Sequence, residues 1–238
     1  MVNRGFRRTR GRVRACLLAV GLLFGAVSSA QAEPRESADA IIVDSTGRAG
    51  RTAALTFDDG PDPRNTARML DVLGEHHVKA VFCLWGEHVR QHPELVRRIV
   101  DEGHVLCNHT MRHENMSTWS PAEIRRNLRA TNAEIHAAVP GAEVRYFRAP
   151  NGAWGETPRV AAELGMQPLG WRLSVGDWNR PGADVLVRRL REGIAPGSVV
   201  LLHDGGGDRG QTVDTVSRFV PWARGAGWKF TLPARGGG

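Results

Sequence analysis

Three cysteines in 238 residues are too few for a disulfide-stapled scaffold. No apolar run reaches membrane-spanning length. The longest, Ala15 to Val27, has thirteen residues, short of the roughly 20 a bilayer core requires. There is no internal repeat, which sets solenoids and propellers aside, and no long linker after residue 50. The basic charge is also unevenly spread. Of the formal +7, six charges are Arg4, Arg7, Arg8, Arg10, Arg12 and Arg14, in a stretch without acids, and subtracting them leaves +1. A chain so nearly neutral beyond residue 32 has no electrostatic footprint for nucleic acid.

The N-terminal segment has an arginine-rich start, an apolar run and then Ser28, Ser29, Ala30, Gln31 and Ala32. That is the three-part build of an export signal, with cleavage expected after Ala32. A secreted protein is therefore expected, with an uncleaved anchor as the alternative and the export route left open. Residues 33–50 are small, polar and unpatterned, and read as a short linker. Cys16 leaves with the signal. Cys83 and Cys107 lie in apolar, strand-like stretches, and although an oxidising compartment permits a disulfide, the expectation is two free buried thiols.

From about Arg51 onward, short apolar runs alternate with longer amphipathic stretches, the pattern of repeated βα units. Strands are expected at Ala53–Phe57, Ala80–Leu84, Val105–Asn108, Val144–Phe147, Gln167–Leu173, Val199–Leu202 and Trp228–Phe230. Helices are expected at Asn65–His76, Pro93–Glu102, Pro121–Val139, Thr157–Leu164, Asp184–Gly193 and Val213–Ala226. The sum is one α/β domain over residues 51–238, closed or nearly closed into a barrel.

The chemistry-bearing residues fall at the C-terminal ends of these strands, where α/β proteins assemble their sites. Asp58 and Asp59 follow the first strand and are turned outward by Gly60 and Pro61. His109 and His113 follow the third, four apart, a spacing that on a helical turn brings both rings to one cation. Two imidazoles and one carboxylate, with room for water, make the donor set of a catalytic rather than structural zinc site. A cation with an open position lowers the pKa of water to about 7, provided a base takes the proton, so the aspartates can divide binding and base chemistry between them. Arg148 follows the fourth strand and can hold a carboxylate ionised. Asp177 follows the fifth and His203 the sixth, a carboxylate and imidazole suited to general acid work. Trp154 and Trp178 are candidate sugar-stacking walls. His76, His77, His92 and His136 read as solvated, and His104 as structural.

These residues resemble, in order and spacing, the five motifs of the polysaccharide deacetylases, carbohydrate esterase family four or the NodB homology domain. The stretches are Thr56 to Pro61, His109 to His113, Arg148 to Gly152, Asp177 with Trp178, and Leu202 to Asp204, spread over about residues 50–230. The resemblance implies a distorted (β/α)7 barrel in a single domain. It makes Asp58 the catalytic base, Asp59, His109 and His113 the ligands of a divalent metal, usually zinc, Arg148 the partner of Asp58, and Asp177 the partner of His203, the catalytic acid. Departures touch substrate contacts. Glu114 stands where a proline commonly follows, Asn151 replaces a frequent aromatic, and Arg172 to Gly176 offers no second acid.

The expected activity is hydrolysis of N-acetyl groups on an amino-sugar polymer or oligomer of chitin or peptidoglycan type, by a monomer with a polysaccharide as its partner. The rivals are O-deacetylation of xylan and a carbohydrate-binding protein without catalysis. No separate carbohydrate-binding module is visible.

Overall fold

The structure is a computed structural model that describes residues 1, 2, 5 and 40–236. The expected export signal, its Cys16 and most of the expected linker lie outside the described residues. The chain divides after Arg35 into two units, and the second, Glu36–Gly238, holds the fold.

That unit runs β1 (Thr52–Gly60), α1 (Asn65–Glu75), β2 (Val81–Leu84), α2 (Gly86–Gln91), α3 (Pro93–Asp101), β3 (Val105–Asn108), α4 (Pro121–Ala138), β4 (Val144–Phe147), α5 (Thr157–Glu163), β5 (Gln167–Pro168), β6 (Leu173–Ser174), α6 (Ala183–Gly193), β7 (Ser198–His203), α7 (Gly210–Gly225) and β8 (Lys229–Phe230). The strands form one curled sheet in the order β5-β4-β3-β2-β1-β7-β6, with β8 added at the start of β1. Every pairing between these strands is parallel, as helical crossovers require. The result is the distorted (β/α)7 barrel expected from the sequence.

Strand alternation divides the core in two. Leu55 and Phe57 of β1, Phe82 and Leu84 of β2, and Val200 and Leu202 of β7 face outward and pack with Met69, Leu73, Ile99, Leu128 and Phe219 from the helices. The opposite phase fills the barrel interior with Ala54, Val81, Cys83, Val105, Cys107, Tyr146 and Val199. Because side chains repeat every second residue, two steps on from that interior layer come Trp85, His109 and Arg148, and four on from Ala54 and Val199 come Asp58 and His203. One phase of the sheet therefore carries the chain from apolar floor to polar site. Helix boundaries follow local chemistry. At the start of α4, Ser120 accepts from the Glu123 N–H while Glu123 bonds back to the Ser120 N–H, and Pro121 occupies the first turn.

Four expectations need correction. Cys83 and Cys107 are not free thiols. They are direct register partners on β2 and β3, and their sulfurs are joined in a disulfide within the barrel interior. The expected strand Gln167–Leu173 is two short strands, β5 and β6. Pro168 has no N–H to extend the ladder, and the intervening residues turn to new partners, with the Gly170 N–H on the Val43 oxygen and the Arg172 N–H on the Val199 oxygen.

The expected linker is part of the barrel from residue 43. Val43 pairs with Leu169 and Ser45 with Ser198, so residues 43–46 seal the seam between the two ends of the sheet. Finally α2 was not expected, because six residues are too few to show a helical period.

Candidate active site

Asp58 lies two residues before the end of β1 in the interior phase, and Asp59 ought by alternation to point away. It does not, because the register between β1 and β2 slips after Asp58 and Asp59 takes a left-handed φ of 75°. Both carboxylates thereby enter one pocket of about 420 Å³, lined also by His109, His113, Ala149, Asn151, Trp171, Trp178, Leu201 and His203. That volume is within the range of roughly 300–1,000 Å³ typical of small-molecule sites.

One side of the pocket suits a cation. One ligand atom from each of Asp59, His109 and His113 lies within 4.8 Å of the other two. His109 Nε2 is 3.4 Å and His113 Nε2 3.7 Å from Asp59 Oδ1. The Nδ1 of His109 sits 2.8 Å from the Arg148 carbonyl oxygen. An Nδ1–H donated there leaves the Nε2 lone pair free for a metal, the usual outer support of a ligating histidine. The donor set thus fits a divalent cation. Burial alone would raise the Asp59 carboxyl, yet the hydrogen bond and charge of His109, with His203 and His113, hold it well below the ordinary carboxylate range.

The two histidines do not share a helical turn, as their spacing had suggested. Residues 109–113 form an irregular turn, with Thr110 at φ 68° and His113 at φ 62°. Asn108 Oδ1 accepts from the Thr110 N–H, and Thr110 Oγ1 accepts from the Glu114 N–H. Such local side-chain bonds compete with helix. The rings still meet, with centroids 5.2 Å apart.

Asp58 stands beside this triad with a different partner. Arg148, fully buried, donates from Nη1 to Asp58 Oδ1 at 2.7 Å and to Thr56 Oγ1 at 2.9 Å. Its Nε and Nη2 go to the carbonyl oxygens of Leu169 and Gly170, so the grip on Asp58 is single rather than bidentate. On the neighbouring strand, His203 is the register partner of Asp58; its Nδ1 lies 2.8 Å from Asp177 Oδ1, while Asp177 Oδ2 accepts from the His203 N–H and from Thr212 Oγ1. Burial would lower the His203 pKa, but the hydrogen bond and charge of Asp177, with Asp58 and Asp59, raise it.

Trp178, 46% exposed, stands edge-on to His203 with centroids 5.4 Å apart, and Asn151 lines the pocket at φ 56°. Trp154 does not reach this pocket. It packs edge-on against Phe147 and borders a neighbouring hollow with Ile42, Asp44, Gly170 and Trp171. The wall expected of Trp154 is formed by Trp171.

Two residues that the motifs do not mark also touch the site. Trp85 donates from Nε1–H to Asp59 Oδ1 at 3.0 Å, and His88 stacks on Trp85 with Nδ1 2.9 Å from the Asp59 carbonyl oxygen. Trp85 is recoverable from phase, since it follows Val81 and Cys83 by twos. His88 leaves no signal in the sequence.

The sequence profile of the polysaccharide deacetylase family matches residues 46–169, more than half of the chain. The chain belongs to the polysaccharide deacetylase family. A chitooligosaccharide deacetylase of Sinorhizobium fredii is 38% identical over 74% of this chain and 87% of its own. Among solved structures of this deacetylase family, a peptidoglycan N-acetylglucosamine deacetylase superposes with a TM-score of 0.74 at 32% identity, over 80% of this chain and 89% of that one. A family pseudoenzyme from Bacillus anthracis superposes with a TM-score of 0.70 at 31% identity, over 76% and 63%. Membership of the deacetylase family therefore does not by itself imply turnover, and the residues in the pocket carry that question.

Proposed function

We propose that this chain is an exported, metal-dependent N-deacetylase of amino-sugar chains, releasing acetate from an N-acetylglucosamine unit. The observation that carries the reading is a base and an acid beside one cation triad. Asp58, held by Arg148, and His203, held by Asp177, are register partners on β1 and β7 and line one pocket with Asp59, His109 and His113. A binding protein would need neither group.

Bound at that triad, a divalent cation, zinc by donor type, supplies Lewis acidity that polarises the acetyl carbonyl and acidifies water. Asp58 accepts a proton from the attacking water, and the buried Arg148, donating to Asp58 Oδ1, holds its carboxylate in place for that purpose. His203, next to Asp58 on β7, lines the same pocket and protonates the departing amine. Asp177 fixes its ring and favours the imidazolium that must donate. Trp171 and Trp178 offer apolar faces for the sugar, and Asn151 a polar contact. The arginine-rich N-terminus and Ala-x-Ala stretch support export, which places the enzyme where such glycans occur.

The test is acetate release from chitin oligomers, peptidoglycan and acetylated xylan, with zinc or with chelator, by wild type and Asp58→Asn. Release from an amino sugar that chelator abolishes, falling about 10²–10⁴-fold in the variant, is the expected outcome. Release from xylan alone would move the activity to ester hydrolysis. A folded, zinc-loaded protein inert on all three would overturn the catalytic reading.

A further inference from the structure

Three glycines in two separate loops are explained by what lies against them. A Cβ at Gly60 would come within 2.5 Å of Asp204 Oδ2, and one at Gly206 within 2.6 Å of Asp59 Oδ2, while one at Gly205 would collide with the Asp59 carbonyl. Residues 204–206, which leave β7 directly after His203, therefore lie flat on the Asp59–Gly60 turn that leaves β1. The Asp204 and Gly205 N–H groups both donate to the Asp58 carbonyl oxygen, at 3.1 and 3.2 Å.

At the centre of this seam is a carboxyl group that the mechanism does not use. Asp204 is fully buried. Its Oδ2 accepts from Thr66 Oγ1 in the first turn of α1, and Thr66 Oγ1 in turn accepts from the Asp62 N–H at 2.8 Å. Its Oδ1 has no partner, and among the described residues no cationic side chain pairs with it. A buried carboxylate without a counter-ion is costly, and an unpartnered buried oxygen calls for an account. Burial pushes the group up to about 7 against the pull of the Thr66 hydrogen bond, with Asp59 and Asp58 adding to the rise. A group so placed is suited to act through its shape and one hydrogen bond rather than through charge.

We infer that Asp204 is a positioning residue whose carboxyl group, tied to Thr66 and seated on Gly60, holds the turn bearing Asp58 and Asp59 at a fixed spacing from His203. Three elements meet at this one side chain: the end of β1, the end of β7 and the start of α1. The kinetic part of the inference rests on the roles proposed for Asp58 and His203, and the cation part does not.

The test compares Asp204→Asn, Asp204→Ala and Thr66→Val in the full chain. Ile135→Ala, in the last turns of α4 at the opposite end of the barrel, serves as a control for general destabilisation. Zinc affinity is read by competition with a chelating dye, kcat and KM by acetate release from a chitin oligomer, and folding by melting temperature. Asp204→Ala is expected to lower kcat about 30–100-fold with KM changed less than about threefold, and to weaken zinc binding about tenfold. Thr66→Val should move both in the same direction by about fivefold, and it supplies the readings if the alanine variant does not fold. Asp204→Asn, similar in shape and still able to bond Thr66, should recover to within about fivefold of wild type. Ile135→Ala should lower the melting temperature and leave kcat and zinc affinity unchanged.

Unchanged kcat and zinc affinity in Asp204→Ala and Thr66→Val would overturn the inference. So would an asparagine variant as impaired as the alanine one, since charge and not seating would then be required. If wild type binds zinc but releases no acetate, the proposed activity fails, and the zinc readings alone decide the role of Asp204.

Discussion

Four residues around the cation triad have their backbones turned into the left-handed region. Asp59, Thr110, His113 and Asn151 all have left-handed φ angles, which Asp, Asn and His tolerate better than other residues with a Cβ, so the cost, of order 1–2 kcal/mol, falls chiefly on Thr110. Asp59 shows why this matters, because only its turned backbone brings it to the same pocket as Asp58. Strand alternation read from sequence says the opposite, so the pairing of two adjacent carboxylates at one site could not be derived from periodicity. What was legible was the set of strand-end groups, since Asp58, His109, Arg148 and His203 share the interior phase. In its proposed role His203 acts as an acid only while protonated, so activity should fall as pH rises through its raised pKa. Asp177→Asn removes the main cause of that rise. The alkaline fall in kcat should then move to lower pH, as a kcat–pH profile on a chitin oligomer will show. His104, read from sequence as structural, is buried with Nδ1 accepting from the Ala80 N–H. Burial, with Lys79 and Arg98 nearby, lowers its pKa from 6.5 to about 4. The unfolded chain therefore binds the extra proton first as pH drops. Stability should be full above about pH 6.5 and fall by about 3 kcal/mol on the way to pH 4, at about 1.4 kcal/mol per unit. Urea denaturation at pH 7 and pH 4.5 should show a smaller difference in His104→Gln.

At the scale of elements, most boundaries were readable because βα units announce themselves by a change of period, and β3 and β4 fall where expected. The elements that escaped are those too short to show a repeating period, α2, β5 and β6, whose form is set by partners distant in sequence. The cysteines escaped for a related reason. An apolar strand hides whether its neighbour's cysteine lies in register, and here Cys83 and Cys107 are opposed across β2 and β3, 24 residues apart. Closing a loop of that length should stabilise the fold by about 3 kcal/mol through the entropy of the unfolded chain. A Cys83→Ala, Cys107→Ala double variant should lose about that amount in urea titrations, and reductant should lower the midpoint of wild type but not of the double variant. The bond lies beside Asp58, which is register partner to Cys83. Its loss should therefore be felt in stability before it is felt in the outer helices.

For the whole molecule, the sheet does not close by strand pairing alone. Residues 43–46 complete it through five backbone hydrogen bonds that join Val43, Asp44, Ser45 and Thr46 to residues 168, 170, 197, 199 and 234. Nothing in that polar, unpatterned stretch marks it as a strand, since its role comes from the gap it fills. A chain shortened to begin at residue 48 should be less stable than one beginning at residue 40 by about 2.5–7.5 kcal/mol, at roughly 0.5–1.5 kcal/mol per net hydrogen bond. Matched urea titrations would check this. The glycine seam between the ends of β1 and β7 has a consequence for how such an enzyme can be altered. The ends of β1 and β7 that carry Asp58 and His203 interlock face to face, so neither can be lengthened, shortened or exchanged without the other. The rim bearing Asn151 and Trp171 has no such interlock with the seam. Retooling the protein for a different acetylated glycan is therefore a task for that rim, and the seam must be inherited whole.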